Sequence, residues 1–571
     1  MRMYQLIVED KQFVFYDFNS TEPDRSNPKL NALSIETHKL FSSDVVDHTG
    51  DLICSYIRSG ELVPGVLLLN GNRTYGKNET GKRPLYKCIP ENRELPAFLI
   101  PYDLKLGFSK DVKNKYIVFK YDHWHDKHPR GMITETIGDV SVMSAYYEYR
   151  LYCRNIHDSI SNFTSKTREL IKQNSDLHES VVSNPKFAIE NRTDIPVFSI
   201  DPMGCTDIDD AFSIQQLPDG SGYKISIYIA NVFVWMETLG LWDQIENRVS
   251  TIYLPDKRRT MLPAILSENI CSLLEKKNRI AFCMDVCVDL EGNAIGEPEY
   301  KNVEIKVHLN FVYEEPKMRS NKYYKQMLDI TRKMKKGISD SHDLVEYWMI
   351  YMNTKCGERL ASNKSGIFRT ATISENTTSK FNKIIRDWND VNCKYVAFSG
   401  DIDISHQVLK INSYVHITSP IRRLVDILNQ TLFIQQMGVA EISENATQFI
   451  DKWMRKIEYV NMKTKAIRKA QTECDMMARC HDTPDLLMQI YDGVVFNKVG
   501  PNDGMIGYSV YIEELKAFSK IKTLIDMPEY SEAKFKLYYF GDEHDGKRKI
   551  RFQIATENDK PTSFNYDRND K

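Results

Sequence analysis

Four aspartates crowd the run VFSIDPMGCTDIDDAFSI at positions 197–214: Asp201, Asp207, Asp209 and Asp210. The apolar residues beside them, Val197, Phe198, Ile200 and the stretch from Ala211 to Ile214, point the cluster toward a protein interior. Two unit charges about 4 Å apart interact by roughly 4 kcal/mol at an effective dielectric of about 20. Carboxylates this close must therefore protonate, separate, or hold cations. Adjacent hard oxygen ligands suit Mg²⁺, with Mn²⁺ as a substitute, and Mg²⁺ commonly sits on a carboxylate or two with a substrate phosphate completing its shell. An EF-hand does not fit, because its glycine and distal glutamate are absent from the required offsets. An acidic surface turn is the alternative that this stretch alone leaves open.

The stretch does not stand alone. DPMGCTDIDDA resembles the signature of the ribonuclease II/ribonuclease R family of 3′→5′ exoribonucleases, in which Asp-Pro precedes DxDD at this spacing. Its wording is most similar to the catalytic subunit of the eukaryotic RNA exosome and its relatives. A second block, YLPDKRRTMLPAILSENICSLLEKKNRIA (253–281), resembles the family's YLP…MLP…LS…LCSL…R.A pattern. A third, YVHITSPIRRLVD (414–426), resembles its TSPIRRY.D block. On these three ordered blocks the chain is identified as a member of that family.

Hydrolysis of a phosphodiester adds negative charge to the phosphoryl, attacking and leaving oxygens, and two divalent ions about 4 Å apart hold both the incoming and the departing oxygen. The resemblance implies a two-ion Mg²⁺ site ringed by Asp201, Asp207, Asp209 and Asp210, with Asp209 and Asp210 taking part in catalysis. It implies that Arg422 binds the scissile phosphate, a role suited to a planar guanidinium that keeps its charge. Arg423 is either a second RNA contact or a structural residue, and His416 and Asp426 are supports. Tyr253 matches the tyrosine that stacks on the 3′-terminal nucleotide, and Glu346 the first glutamate of a pair that reads that nucleotide. Tyr313 follows the strand-then-tyrosine pattern of the residue beside the scissile phosphate, although an ordinary core tyrosine fits there too. Some positions depart from the family. Tyr347 replaces the second glutamate, Asn231 the aspartate of HIADV, and Gln430-Thr431 a histidine-arginine pair.

The elements that must position these groups can be read from periodicity. Up to about residue 155, short alternating runs such as QLIVEDKQFVFYDF and KYIVFKYDHW, broken by Gly, Pro and Asn, have the pattern of small β-barrels. The resemblance implies that residues 1–59 are a shortened first cold-shock-like OB domain and 60–155 a second, where Trp124, Pro129, Gly131 and Gly138 fall in a segment like the family's W…YP.G…LG. Residues 156–486 mix strands with helices and carry all three blocks, as a mixed α/β catalytic domain. The run 344–361 reads as a buried helix. The basic run 452–470 reads as a helix with either a solvated or a partner-contacting face. Short strands from about 487 to 556 suggest a C-terminal OB barrel, and 557–571 reads as a polar, disordered tail. The fold expected is thus a multidomain α+β chain with N-terminal OB-type barrels, a central mixed α/β catalytic domain and a C-terminal OB-type barrel.

Two further motifs are weaker. Gly71 to Asn78 nearly spells a phosphate loop, but Asn78 stands where Ser or Thr would bind Mg²⁺, and Gly81 and Pro84 forbid the helix that must follow. His123, His125 and His128 have spacing for zinc, yet no cysteine or second histidine pair lies near, and a polar hairpin turn explains them.

Seventy-six Lys and Arg balance 78 Asp and Glu for a net charge of −2, so an RNA partner requires a local basic channel. Eleven cysteines without paired spacing, a start lacking a signal peptide's apolar core and no apolar run of membrane-spanning length lead to an expectation of a reducing, intracellular and most simply cytoplasmic setting. The resemblance implies a processive, Mg²⁺-dependent 3′→5′ exoribonuclease releasing nucleoside 5′-monophosphates from single-stranded RNA with a free 3′ end. With no room for the exosome subunit's endonuclease domain, a monomer free of the exosome is expected. The rival reading is an RNA-binding protein or complex subunit that kept the fold and lost turnover.

Overall fold

The computed structural model describes residues 2–9, 12–17, 23–24, 26–33, 38–104, 112–174, 176–372, 384, 393–400, 402–502, 504–541 and 548–555. The tail expected at 557–571 lies outside the described residues. The chain divides into two units. One gathers Met1–His157, Leu254–Asp256 and Lys469–Lys571, and the other Asp158–Tyr253 and Lys257–Arg468.

In the first unit, Met3–Glu9, Gln12–Asp17, Val45–Asp47 and Leu52–Cys54 form a four-stranded sheet over a small core of Tyr4, Leu6, Phe15, Leu30 and Val46. Five strands follow, Val63–Leu67, Leu85–Pro90, Phe98–Pro101, Lys115–Tyr121 and Gly131–Asp139, with the first strand in the middle between the second and the fourth. The same order recurs in Ile490–Asn502, Met505–Ile512, Ala517–Thr523, Glu532–Gly541 and Arg548–Ile554. Both are the small five-stranded OB architecture anticipated from alternation, each wrapped on its own aromatic core. Gly71 opens a short turn and strand Leu85–Pro90 comes next, so no helix follows the near-phosphate loop. His123 and His125 stack on each other between two strands, with His123 Nδ1 3.1 Å from Asp122, as a hairpin turn requires.

The second unit is organised around a closed barrel of β1 (Glu190–Asp201), β2 (Asp210–Gln216), β3 (Gly222–Ala230), β4 (Asn278–Asp289) and β5 (Glu299–Val312). Its neighbours are antiparallel except β1 and β5, which close the barrel in parallel. The run ISIYIA of β3 is buried at every position, as a strand covered on both faces must be. Helix Ser341–Ser362 buries Leu344, Val345, Trp348, Met352, Cys356 and Leu360, and helix Leu424–Gln436 buries every residue from Leu424 to Ile434. The basic run 452–470 is not one helix. Glu444–Met454 ends with Arg455 as its cap, and Ile457–Asp482 starts afresh. Trp453, in the last turn of the first helix, is fully buried, and Lys452 and Lys456 place their ammonium groups 5.6 and 5.8 Å from its ring.

Candidate active site

Barrel register brings the aspartates to one rim. Phe198 pairs with Phe212, so the end of β1 at Asp201 and the start of β2 at Asp210 lie together. The parallel pairing sets Val312 beside Asp201, and the next residue, Tyr313, donates its backbone N–H to the Asp201 carbonyl at 3.2 Å. From β3, Ala230 N–H reaches the Asp209 carbonyl at 2.8 Å. The second sequence block pins the intervening loop. Ser272 Oγ accepts from Ile208 N–H at 2.9 Å and donates to the Thr206 carbonyl at 2.8 Å, while Arg279 Nε holds the Ser272 carbonyl at 2.7 Å.

The third block is cradled by helix Ser341–Ser362. Asn353 Oδ1 accepts from Ile417 N–H at 3.0 Å, and at Gly357 a Cβ would stand 2.9 Å from the Ser413 carbonyl, so only glycine lets the two chains pass. Asp426, fully buried, accepts from Ser419 N–H and Arg423 Nη2, both at 2.8 Å. Backbone bonds from Thr251 N to the Arg422 carbonyl (3.0 Å) and from Leu424 N to the Val249 carbonyl (3.0 Å) tie this turn to the segment ending in Tyr253. The arginine turn, the tyrosine and the acids are therefore fixed by backbone.

Each carboxylate has its own surroundings. Asp209 Oδ1 accepts from Ile421 N–H at 2.9 Å and its Oδ2 meets Arg422 Nε at 3.2 Å. Burial pushes its carboxyl up to about 7 against the pull of that guanidinium. Asp201, which accepts from Ser199 Oγ at 2.6 Å, is pushed above the ordinary carboxylate range by burial. Asp210 rises further, through burial and then repulsion from Asp201 and Asp209, and its carboxylate meets no protein hydrogen-bond donor among the described residues. Asp207 is gripped by the Tyr253 hydroxyl at 3.3 Å on Oδ2 and by Arg258 on Oδ1.

The remaining expected residues fall into two groups. Tyr313 is at the site: its hydroxyl is pushed up by burial and by the nearby Asp210 and Asp201, and its ring lies flat on His342 with centroids 3.9 Å apart. Tyr253 is 42 % exposed. Arg422 bonds Ser419 Oγ at 3.1 Å and leaves 45 % of its side chain exposed. Arg423 is turned inward to Asp426, which supports the turn instead of facing a phosphate. Glu346 lies on the exposed side of its helix, and Tyr347 packs edge-on against Trp348 at 5.2 Å. His416 is buried between Tyr395 and Arg369. Sequence reasoning missed Arg258 and Glu268, which pair at 2.9 Å behind Asp207. Both lie in the second block, but three consecutive basic residues, Lys257 to Arg259, gave no sign which one faces the acids.

Among the described residues, no three His, Cys, Asp or Glu side chains gather around one point. Of the four aspartates, Asp207 is paired with Arg258 and Asp209 with Arg422. Asp201 and Asp210 do fit a divalent cation: they are part-buried hard oxygen donors, the charge of Asp201 helps push Asp210 up, and Asp210 meets no protein donor among the described residues.

The RNB domain family model matches residues 189–317 and 306–437. Exoribonuclease 2 of Psychromonas ingrahamii is 25 % identical over 276 residues, covering 46 % of this chain and 39 % of its own. The chain spans less than two thirds of the length of the curated relatives it matches. In fold it is similar to Mycoplasma genitalium RNase R in complex with ribose-methylated single-stranded RNA (TM-score 0.66, 15 % identity, 96 % of this chain and 99 % of that one). It also resembles yeast Ssd1, a pseudonuclease (TM-score 0.56, 15 % identity, 83 % of this chain and 66 % of that one). The barrel, its rim of aspartates and the arginine turn all fall within the matched residues, and over that stretch the chain carries an RNB domain.

Proposed function

We propose that this chain is an Mg²⁺-dependent 3′→5′ exoribonuclease that hydrolyses single-stranded RNA processively to nucleoside 5′-monophosphates. The observation that carries this reading is the junction of Asp209 with Ile421 N–H and Arg422 across the chain, beside the Asp201–Asp210 pair. Arg422 has Nη hydrogens left to donate to a phosphate once Nε is held by Asp209 and Nη2 by Ser419. Asp209 aims that guanidinium. Tyr253 offers a ring face to the terminal base, and Tyr313 presents a protonated hydroxyl beside the acids, able to donate to a phosphoryl oxygen. Asp201 and Asp210 would hold the cation, which supplies charge neutralisation and an activated water when bound. The substrate is RNA with a free 3′ end, consistent with the single-stranded RNA bound to RNase R, and a monomer acting apart from an exosome in a reducing, cytoplasmic compartment is part of the same proposal.

A second reading, an RNB-fold RNA binder without turnover, is favoured by Tyr347 in place of a glutamate and by the fold shared with a pseudonuclease. Digestion of end-labelled single-stranded RNA with Mg²⁺ separates them. Stepwise shortening from the 3′ end, abolished in chelator and in Asp209→Asn while RNA binding persists, is expected. Internal cuts first, or an inert parent, would remove the nuclease.

A further inference from the structure

We infer that Asp207 anchors the nucleotide-binding hairpin instead of ligating a cation, and that Arg258 with Glu268 keeps it in that role. Tyr253 and Arg258 are cross-strand partners in the short hairpin Ile252–Tyr253/Arg258–Arg259. From adjacent positions they reach the same carboxylate, the tyrosine hydroxyl on Oδ2 and the guanidinium on Oδ1. The Cys205 thiol lies 3.7 Å from Oδ1 as well. Both oxygens are thus engaged by donors.

The guanidinium is itself clamped. Its Nη2 reaches Glu268 at 2.9 Å and Thr206 Oγ1, so it stands between two carboxylates with 27 % of its side chain exposed. Withdrawing it would break charge-assisted bonds on both sides. A fixed positive charge against Asp207 also repels a divalent ion from that oxygen pair. The acidic rim therefore divides its labour. Asp201 and Asp210 remain for one cation, Asp209 serves Arg422, and Asp207 serves the hairpin. The platform part of this inference rests on the proposed exonuclease reading, and the cation part does not.

Mn²⁺ titration of the chelator-stripped full chain, with free ion read by electron paramagnetic resonance, tests it without turnover. One ion per chain is expected, with Asp201→Asn and Asp210→Asn each weakening it about tenfold or more, and Asp207→Asn leaving it within about twofold. Arg258→Gln, which alters none of the aspartates, is expected to admit a second, weaker Mn²⁺ between Asp207 and Glu268. With chelator present, Asp207→Asn and Arg258→Gln each weaken binding of a 3′-hydroxyl single-stranded oligoribonucleotide by about tenfold, the loss of one stacked base. Two ions on the parent with one lost in Asp207→Asn, no ion on the parent, or an Arg258→Gln variant still at one ion would each overturn the inference. The expected Mn²⁺ pattern on a parent that neither degrades nor binds RNA would instead remove the exonuclease reading and leave the cation assignment standing.

Discussion

Asn231 stands where the family pattern has aspartate, and its contacts explain how the chain tolerates the change. Its Oδ1 accepts from Val234 N–H at 3.2 Å and caps helix Val232–Leu239, a role that Asn and Asp fill equally. Its Nδ2 donates to Asn302 Oδ1 at 2.8 Å, and Asn302 Nδ2 is committed to the Phe187 carbonyl at 2.9 Å. A carboxylate at 231 would confront that amide oxygen with no donor between them. Asn231→Asp is therefore expected to destabilise the fold by about 1–3 kcal/mol in denaturant unfolding, without raising turnover. Arg422→Lys is the sharper probe of chemistry. An ammonium cannot hold Asp209, Ser419 and a phosphate in one plane, so kcat/KM on single-stranded RNA should fall about a hundredfold, with the unfolding midpoint little changed. At this scale the aspartates and Arg422 were legible because motif spacing preserves them. The partition of their partners was not, since it depends on Arg258 reaching across a hairpin that sequence order does not reveal.

Among the elements, the YVHITSP segment carries a pH dependence. Arg369 Nη1 lies 3.2 Å from His416 Nε2 and can only donate, so Nε2 accepts and Nδ1–H donates to the Tyr395 hydroxyl at 2.8 Å. Burial, then Arg423 and Arg369, hold this imidazole well below its ordinary value of 6.5. The unfolded chain takes up the proton first, so this stability is complete above pH 6.5 and is lost as pH falls toward the folded value. The loss is about 1.4 kcal/mol per pH unit in that window. Unfolding midpoints at about pH 7.5 and pH 5.5, on either side of that ordinary value, should differ less in His416→Gln than in the parent. Alternation made the small barrels legible, although strand Ala517–Thr523, AFSKIKT, alternates weakly because it mixes polar residues into its inward row. The break after Met454 was hidden because basic residues continue helical periodicity straight through the turn at Arg455 and Lys456.

For the whole molecule, a net charge of −2 leaves RNA affinity to local fields, so log affinity should decline with log salt by about 0.7 per phosphate neutralised. Fluorescence anisotropy of a labelled oligonucleotide across a salt series measures it, and a flat line would contradict phosphate contact. The mixed α+β architecture was readable from segment periodicities, but barrel closure was not, because it joins strands far apart in the chain. That closure has a consequence for a cell making this protein. The parallel seam between β1 and β5 cannot be completed until Val312 has been synthesised, and Asp209 cannot meet its arginine until Arg422 has followed. At about 5–20 residues per second, the acids emerge from a ribosome roughly ten to forty seconds before the group that completes them.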